Sequence, residues 1–248
     1  MVGDVQVILD QTKMKQSEFN AAMKLYERSP VYIYFNRFIS ISNIGLQFLM
    51  LLFVADLSVS WQVHLLSFLM AYLLCDFVNG LVHMYMDSND HYNWLGGPLV
   101  AYFHLHHKRP IYKKNPLPLV YFNETGYKVW LVPFLIASLI LTRAQLVSPW
   151  VSALLMYFCF LSSIAEVSHY ICHTINSRWA IFLGKLRILL PIGHHGKHHA
   201  SDNMNYAFLN GVTDTVLNII ARKFFQGYKN NTDLHYATYE MPEINSRR

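Results

Sequence analysis

Four stretches of this chain are long and apolar enough to constrain everything else about it. They run roughly over 36–56 (around ISNIGLQFLMLLFVA), 62–85 (QVHLLSFLMAYLLCDFVNGLVHMY), 127–147 (around VWLVPFLIASLIL) and 149–172 (PWVSALLMYFCFLSSIAEVSHYIC). Each reaches the ~20 residues an α-helix needs to cross a bilayer. Backbone N–H and C=O groups in hydrocarbon must be satisfied within the segment, so these stretches predict helices. The composition agrees: 53% of residues are hydrophobic and 14% charged, against about 25% charged in soluble domains. The expected fold class is all-α, a polytopic membrane protein with four transmembrane helices.

Smaller features fill in the plan. Pro133 predicts a kink in the third span. Residues 178–190, RWAIFLGKLRILL, mix Arg178, Lys185 and Arg187 into an apolar run, which predicts a helix lying in the interface. Residues 206–220 predict a second one. Cys75, Cys159 and Cys172 all fall in apolar stretches and read as reduced, buried small hydrophobes. The first residues lack the basic region and apolar run of a signal peptide. No internal repeat is visible. The chain reads as one membrane-embedded domain over 1–248, with a polar N-terminal segment (1–30) and a C-terminal tail (228–248).

Charge sets the orientation. Four spans put the N-terminus, the loop 86–126 and the C-terminal region on one face. The two connections on the opposite face contain Arg143 alone of the 20 lysines and arginines. This asymmetry predicts that the basic face is cytoplasmic. The net charge of +5 could suit nucleic acid, but with so much apolar sequence it is read as cytoplasmic loops beside anionic lipid.

The same face collects histidine. Ten of the 13 histidines lie there in four separated segments: His83; His104, His106 and His107; His169 and His173; His194, His195, His198 and His199. His169 and His173 stand at i and i+4, so both rings lie on one helix face, which Glu166 shares. His195 with His199, and His194 with His198, repeat that spacing if their stretch is helical. Asp76, Asn79, His83 and Asp87 form one polar stripe along an apolar helix, either as a helix–helix hydrogen-bonding device or as support for ligands such as His83. His64, His91 and His235 read as interfacial or capping residues.

A single zinc takes three or four ligands. Eight or more imidazoles account better for two ions with nitrogen-rich shells. Imidazole suits iron as well as zinc, and a redox reaction favours iron because zinc has no redox chemistry. Two other classes stay open. Metal transport or storage would need polar groups through the full membrane depth, and an intramembrane zinc hydrolase would need only three or four of these ligands.

Several motifs together resemble one family. CDFVNGLVHMYMD (75–87), the pair His106–His107, FNETG (122–126), HYICH (169–173), ILLPIGHHGKHH (188–199) and LNGVTD (209–214) are similar to the plasmanylethanolamine desaturases, which include CarF-like bacterial proteins and the plant plastid phosphatidylglycerol trans-desaturase. The resemblance runs from about 70 to about 225. It implies a non-haem di-iron centre held by His83, Asp87, His106, His107, His169, His173, His195, His198 and His199. His194 matches the doubled histidine of the pattern and joins the candidate metal ligands. There are departures: His104 is additional, Leu105 stands where the family carries an acidic residue, and the loop 108–121 matches poorly.

The resemblance also implies a reaction. Two iron ions would use O2 to remove two hydrogens from a lipid chain, with electrons from an external donor such as cytochrome b5 or a ferredoxin docking on the basic face. Lys108, Arg109, Lys113 and Lys114 are candidates for contact with that donor or with phosphate, or for anchoring alone. The leading substrate is a 1-O-alkyl glycerophospholipid, giving the vinyl ether of a plasmalogen. An acyl-chain desaturation or a hydroxylation of a phospholipid is the alternative. The host would be the endoplasmic reticulum membrane in a eukaryote or the inner membrane in a bacterium.

Overall fold

The computed structural model describes residues 2–108, 115–201 and 203–225, and these form helices with no strand among them. The side chain of Lys108, together with Arg109, Lys113, Lys114, His235 and the tail 228–248, lies outside the described residues.

Three helices are long and apolar enough to cross a membrane: α2 (Pro30–Ala55), α3 (Trp61–Ser88) and α7 (Pro149–Thr174). Local chemistry fixes where they start. Prolines open α2 and α7, where a missing N–H costs nothing. The Ser60 and Ser148 hydroxyls accept from the N–H groups of Val63 and Val151. Large apolar side chains such as Phe38, Leu52, Leu65 and Leu69 stay exposed on the outer faces, as lipid-facing positions would. Between α3 and α7 the fully buried Ala71, Cys75, Ala153, Cys159 and Ala165 let the two backbones approach closely.

The third expected span forms a shorter helix, α6 (Leu131–Arg143). Its 13 residues are ~20 Å long at 1.5 Å per residue, short of a ~30 Å hydrocarbon core. Pro133 has no N–H to offer the Val129 carbonyl, and residues 126–131 turn by bonds such as Lys128 N–H to Thr125 O and Leu131 N–H to Lys128 O. The break falls just before the predicted kink. The carbonyls of Thr125 and Lys128 accept from Asn43 Nδ2 on α2, so this irregular backbone is partly covered by a side chain of the neighbouring helix. Helix α6 runs antiparallel to α7. At one end Thr142 Oγ1 donates to Ser152 Oγ (3.1 Å), and at the other Lys128 Nζ lies 2.8 Å from Glu166 Oε1.

The long helices therefore overshoot α6. Asp87 lies two turns beyond Asn79 on α3, and His173 two turns beyond Glu166 on α7. The remaining elements are α1 (Val2–Arg28), α4 (Gly97–Lys108), α5 (Leu117–Thr125), α8 (Arg178–Lys185), α9 (Ile192–Ser201) and α10 (Asp214–Phe224); α4 and α9 bring their histidines to these extensions, while the turn after α8 meets Tyr72, nearer the middle of α3. Both segments expected to lie in the interface contain helix. In α8 the apolar Trp179 and Phe182 are exposed, and the Ser177 hydroxyl caps the Ala180 N–H.

Candidate metal centre

Histidines from four helices converge on the overshooting ends of α3 and α7. Two groups of ligand atoms form, each with all its members within 4.8 Å of one another. One is His106, His169, His173, His195 and His199; the other is His83, Asp87, His107 and His198. They adjoin: the His107 and His199 ring centroids are 5.0 Å apart, and those of His195 and His198 5.4 Å.

Helical spacing explains the sorting. His169/His173 and His195/His199 are i, i+4 pairs on single faces of α7 and α9, and each pair enters one group. Neighbours in sequence point to different sides of a helix, so His106 and His107 on α4 serve different groups, as do His198 and His199 on α9.

The five-histidine group has a geometry that hydrogen bonds cannot satisfy. Its Nε2 atoms form a chain: His106 to His173 at 3.2 Å, His173 to His169 at 3.1 Å, His169 to His195 at 2.8 Å and His195 to His199 at 3.0 Å. A neutral ring nitrogen carries either one hydrogen or one lone pair. The three middle atoms each have two such neighbours, so at most two of the four contacts can be good hydrogen bonds. One cation accepting all the lone pairs resolves the conflict. Donors set at right angles about a centre ~2.1 Å away stand ~3.0 Å from each other, close to the spacing observed. Five imidazoles also exceed the four ligands of a structural zinc.

In the second group the tautomers are fixed from behind. His83 Nδ1–H donates to the Tyr206 carbonyl (2.8 Å), and His198 Nδ1–H to the Met204 carbonyl (2.7 Å). Each therefore turns an Nε2 lone pair inward. Those lone pairs face Asp87 Oδ2 at 3.5 and 3.3 Å, while His107 Nε2 lies 2.8 Å from Oδ1. Both carboxylate oxygens are buried, and among the described residues neither has a partner in hydrogen-bond geometry besides what these ring nitrogens offer. Lone pairs facing an anion repel unless a cation lies between them, so this donor set also fits a metal ion.

Burial tunes the candidate ligands outside the spans. His106 and His195 are held well below the usual imidazole range by desolvation first and by neighbouring imidazoles second. His199 is lowered to about 3 for the same reasons. Neutral imidazole is the metal-binding form. Phe208, itself buried, stacks on His169 at 4.3 Å and packs on His83 at 4.4 Å, walling both groups with one apolar ring.

The other sequence candidates go elsewhere. His194 Nε2 meets Asp214 Oδ2 at 2.6 Å and joins neither group. His104 is fully buried between the Tyr92 hydroxyl (2.7 Å from Nδ1) and the Met86 carbonyl (2.8 Å from Nε2). His64 faces the Tyr157 hydroxyl, and His91 faces Asn89. Of the polar stripe, Asp76 and Asn79 do not bond His83. Asp76 Oδ1 accepts from the N–H groups of Leu209, Asn210 and Gly211, and Oδ2 from the N–H and hydroxyl of Thr213. Asn79 Oδ1 accepts from Lys128 Nζ at 2.5 Å. Glu166, on the His169 face, pairs with Lys128.

Sequence reasoning missed Lys128, Asp214 and the Tyr206 carbonyl. Lys128 left one signal, a lone cation at the head of an apolar run. The carbonyl left none.

A family model described as the lipid desaturase domain matches residues 72–230. The chain belongs to that family. The match covers every residue of both histidine groups, and it agrees with the resemblance drawn from the motifs. No curated protein and no solved structure matches the chain. The protein is thus a lipid desaturase of the membrane, with three helices long and apolar enough to cross it.

Proposed function

We propose that this desaturase uses two iron ions and O2 to convert the 1-O-alkyl chain of an ether phospholipid to a vinyl ether. The observation that carries the reading is the pair of adjoining donor sets, five histidines beside three histidines and Asp87. Bound there, two irons would supply the one-electron chemistry that activates O2 and removes hydrogen from an unactivated methylene.

The residues supply the rest. His106, His169, His173, His195 and His199 would hold one ion, and His83, Asp87, His107 and His198 the other. The Tyr206 and Met204 carbonyls keep the His83 and His198 tautomers fixed for binding. Phe208 excludes water from one side of the centre. The lipid chain would approach on the side of the partly exposed His106, His107, His173 and His199. The chain gives up two hydrogens and gains a C=C bond. O2 takes these, with two electrons and two protons from outside, and leaves as two waters. A cytochrome b5 or ferredoxin docking on the basic face, read as cytoplasmic, supplies the electrons.

Expression in cells that lack vinyl-ether lipids, followed by lipid mass spectrometry, tests this. Vinyl-ether phospholipids are expected with the wild type and are absent with His173→Ala or His198→Ala, which still reach the membrane. New acyl double bonds without vinyl ethers would move the assignment to acyl desaturation.

A further inference from the structure

A second site lies outside the two histidine groups, between α8 and the start of α9. A cavity of about 350 Å³ lies there, lined by Lys185, Arg187 and the apolar or small residues Ile181, Gly184, Ile192 and Gly193. Neither cation has an acidic partner among the described residues. Arg187 has five N–H groups to offer, and among the described residues only Nη1 is bonded, to the Asn210 carbonyl at 3.3 Å.

Arg187 is placed with unusual care for a surface cation. Its φ is +56°, the left-handed position of the turn that closes α8, in which the Arg187 and Ile188 N–H groups donate to the Gly184 and Leu183 carbonyls and fix where the side chain leaves the backbone. The Tyr72 hydroxyl lies within hydrogen-bond distance of the Arg187 and Ile188 carbonyls, at 2.9 and 2.7 Å. The guanidinium lies against Gly211, where a Cβ would come within 2.8 Å of Nη1. Gly211, with φ +76°, belongs to the loop that Asp76 pins. A helix-terminating turn, a glycine cut-out and a buried aspartate thus hold one arginine still.

The surroundings say what it is held for. Trp179, Phe182, Leu186 and Ile188 are exposed apolar residues flanking the cavity, and apolar side chains mixed with cations are the pattern of a segment that meets lipid. A pair of cations there, above an apolar floor, suits a phosphate that carries an alkyl chain. Arg presents a fork matched to phosphate oxygens. The site is also tied to the metal centre, since α9 begins at this cavity and carries His195, His198 and His199 within its next turns.

We infer that Arg187 and Lys185 seat the phosphate of the phospholipid whose chain is desaturated. This rests on the proposed function for the identity of the bound lipid. The substrate's glycerol would be anchored close to the histidines, and its first chain carbons would be presented to them.

The test compares a 1-O-alkyl-2-acyl glycerophospholipid with the matching alkylacylglycerol, which lacks the phosphate. Both are presented in vesicles to the full-length protein. For wild type, kcat/KM is expected to favour the phospholipid. Arg187→Ala should cut that preference about tenfold through KM, Lys185→Ala less, and Arg187→Lys should restore part of it. A merely structural role would lower both lipids together and leave the ratio unchanged, which overturns the inference. Native mass spectrometry of the purified protein gives a readout free of turnover: wild type retains phospholipid and Arg187→Ala loses it. Equal retention by the two proteins, or retention of inorganic phosphate instead of lipid, also overturns it. If wild type desaturates neither lipid, the proposed reaction fails, and retention alone decides the seat.

Discussion

His169 and His195 hold their Nε2 atoms 2.8 Å apart, from α7 and α9, both rings buried. Each nitrogen has a further Nε2 neighbour, His173 or His199, so protons alone cannot make the arrangement favourable. A cation among them can. His195→Ala is expected to lower bound iron from about two per chain to about one, because the His83–Asp87–His107–His198 set stays intact. Elemental analysis of the purified protein reads this directly. Iron should also raise the melting temperature of the wild type, by the equivalent of about 3 kcal/mol when free metal exceeds its Kd a hundredfold. A His195→Ala protein with undiminished iron would disprove the assignment.

Acid should destabilise the metal-free protein. His106 and His195 are held well below the usual imidazole range, and His199 at about 3, in each case by desolvation first. Unfolded, these rings take protons near their ordinary value of ~6.5. Between ~6.5 and the lowered folded values the unfolded chain binds more protons, so stability rises with pH there. It is therefore complete above ~6.5 and is lost progressively as pH falls toward 3. Denaturant melts of iron-free protein from pH 8 to pH 4 check the slope, and added iron should move its onset to lower pH.

Buried Lys128 and the largely buried Glu166 form an ion pair one turn from His169, with Asn79 on the other side of the ammonium. Glu124 joins them electrostatically. Burial and the Glu166 charge push its carboxyl up to about 8, against the opposing pull of Lys128. Removing one partner of a buried pair leaves the other uncompensated, so Lys128→Met is expected to cost about 3–5 kcal/mol. The double variant Lys128→Met/Glu166→Leu should recover most of that. Glu124 makes a separate contribution with the opposite pH sign. A raised acid holds its proton in the fold, so its stabilisation is present below ~4.5 and fades as pH climbs to 8. Glu124→Gln should flatten that limb in chemical melts.

His194 tests how well a motif read by spacing alone assigns roles. It is part of an HHxxHH run and one turn from His198, yet its ring turns to Asp214, whose Oδ1 accepts from the Ala207 N–H. Replacing His194 with Ala should leave iron at about two per chain. It should still cost about 1–3 kcal/mol, the penalty for leaving one oxygen of a buried carboxylate without its partner. Loss of one iron from His194→Ala would instead place that ring among the ligands.

The contrast shows what periodicity carries and what it does not. Three spans were legible from apolar length, and the i, i+4 pairs His169/His173 and His195/His199 from helical spacing, because both depend only on the local chain. The division into two groups was not legible. It depends on which side of α4 and α9 faces α3 and α7, and that is decided by packing between distant segments. The shortness of α6 had a local cause in Pro133, but the burial of Lys128 behind it needed Glu166 and Asn79 from two other helices. The Tyr206 carbonyl behind His83 could not be read from residue types, because every residue has a carbonyl.

Asp76 links these levels in one side chain. Its carboxylate takes five hydrogen bonds from residues 209–213. The same turn continues from Tyr206, which orients His83, and runs into Asp214, which holds His194. Asp76→Asn keeps one acceptor oxygen but sets an NH2 group against the Thr213 N–H. The expected loss is at least about 2 kcal/mol, in the range of a charge-assisted bond plus an unsatisfied donor. It should reach the metal as well. Iron in the His83 group should dissociate faster under chelator than in wild type, while iron in the His169 group, anchored on α4, α7 and α9, is retained. Chelator-chase kinetics followed by elemental analysis separate the two. Equal release of both ions from Asp76→Asn would mean that the loop does not position His83.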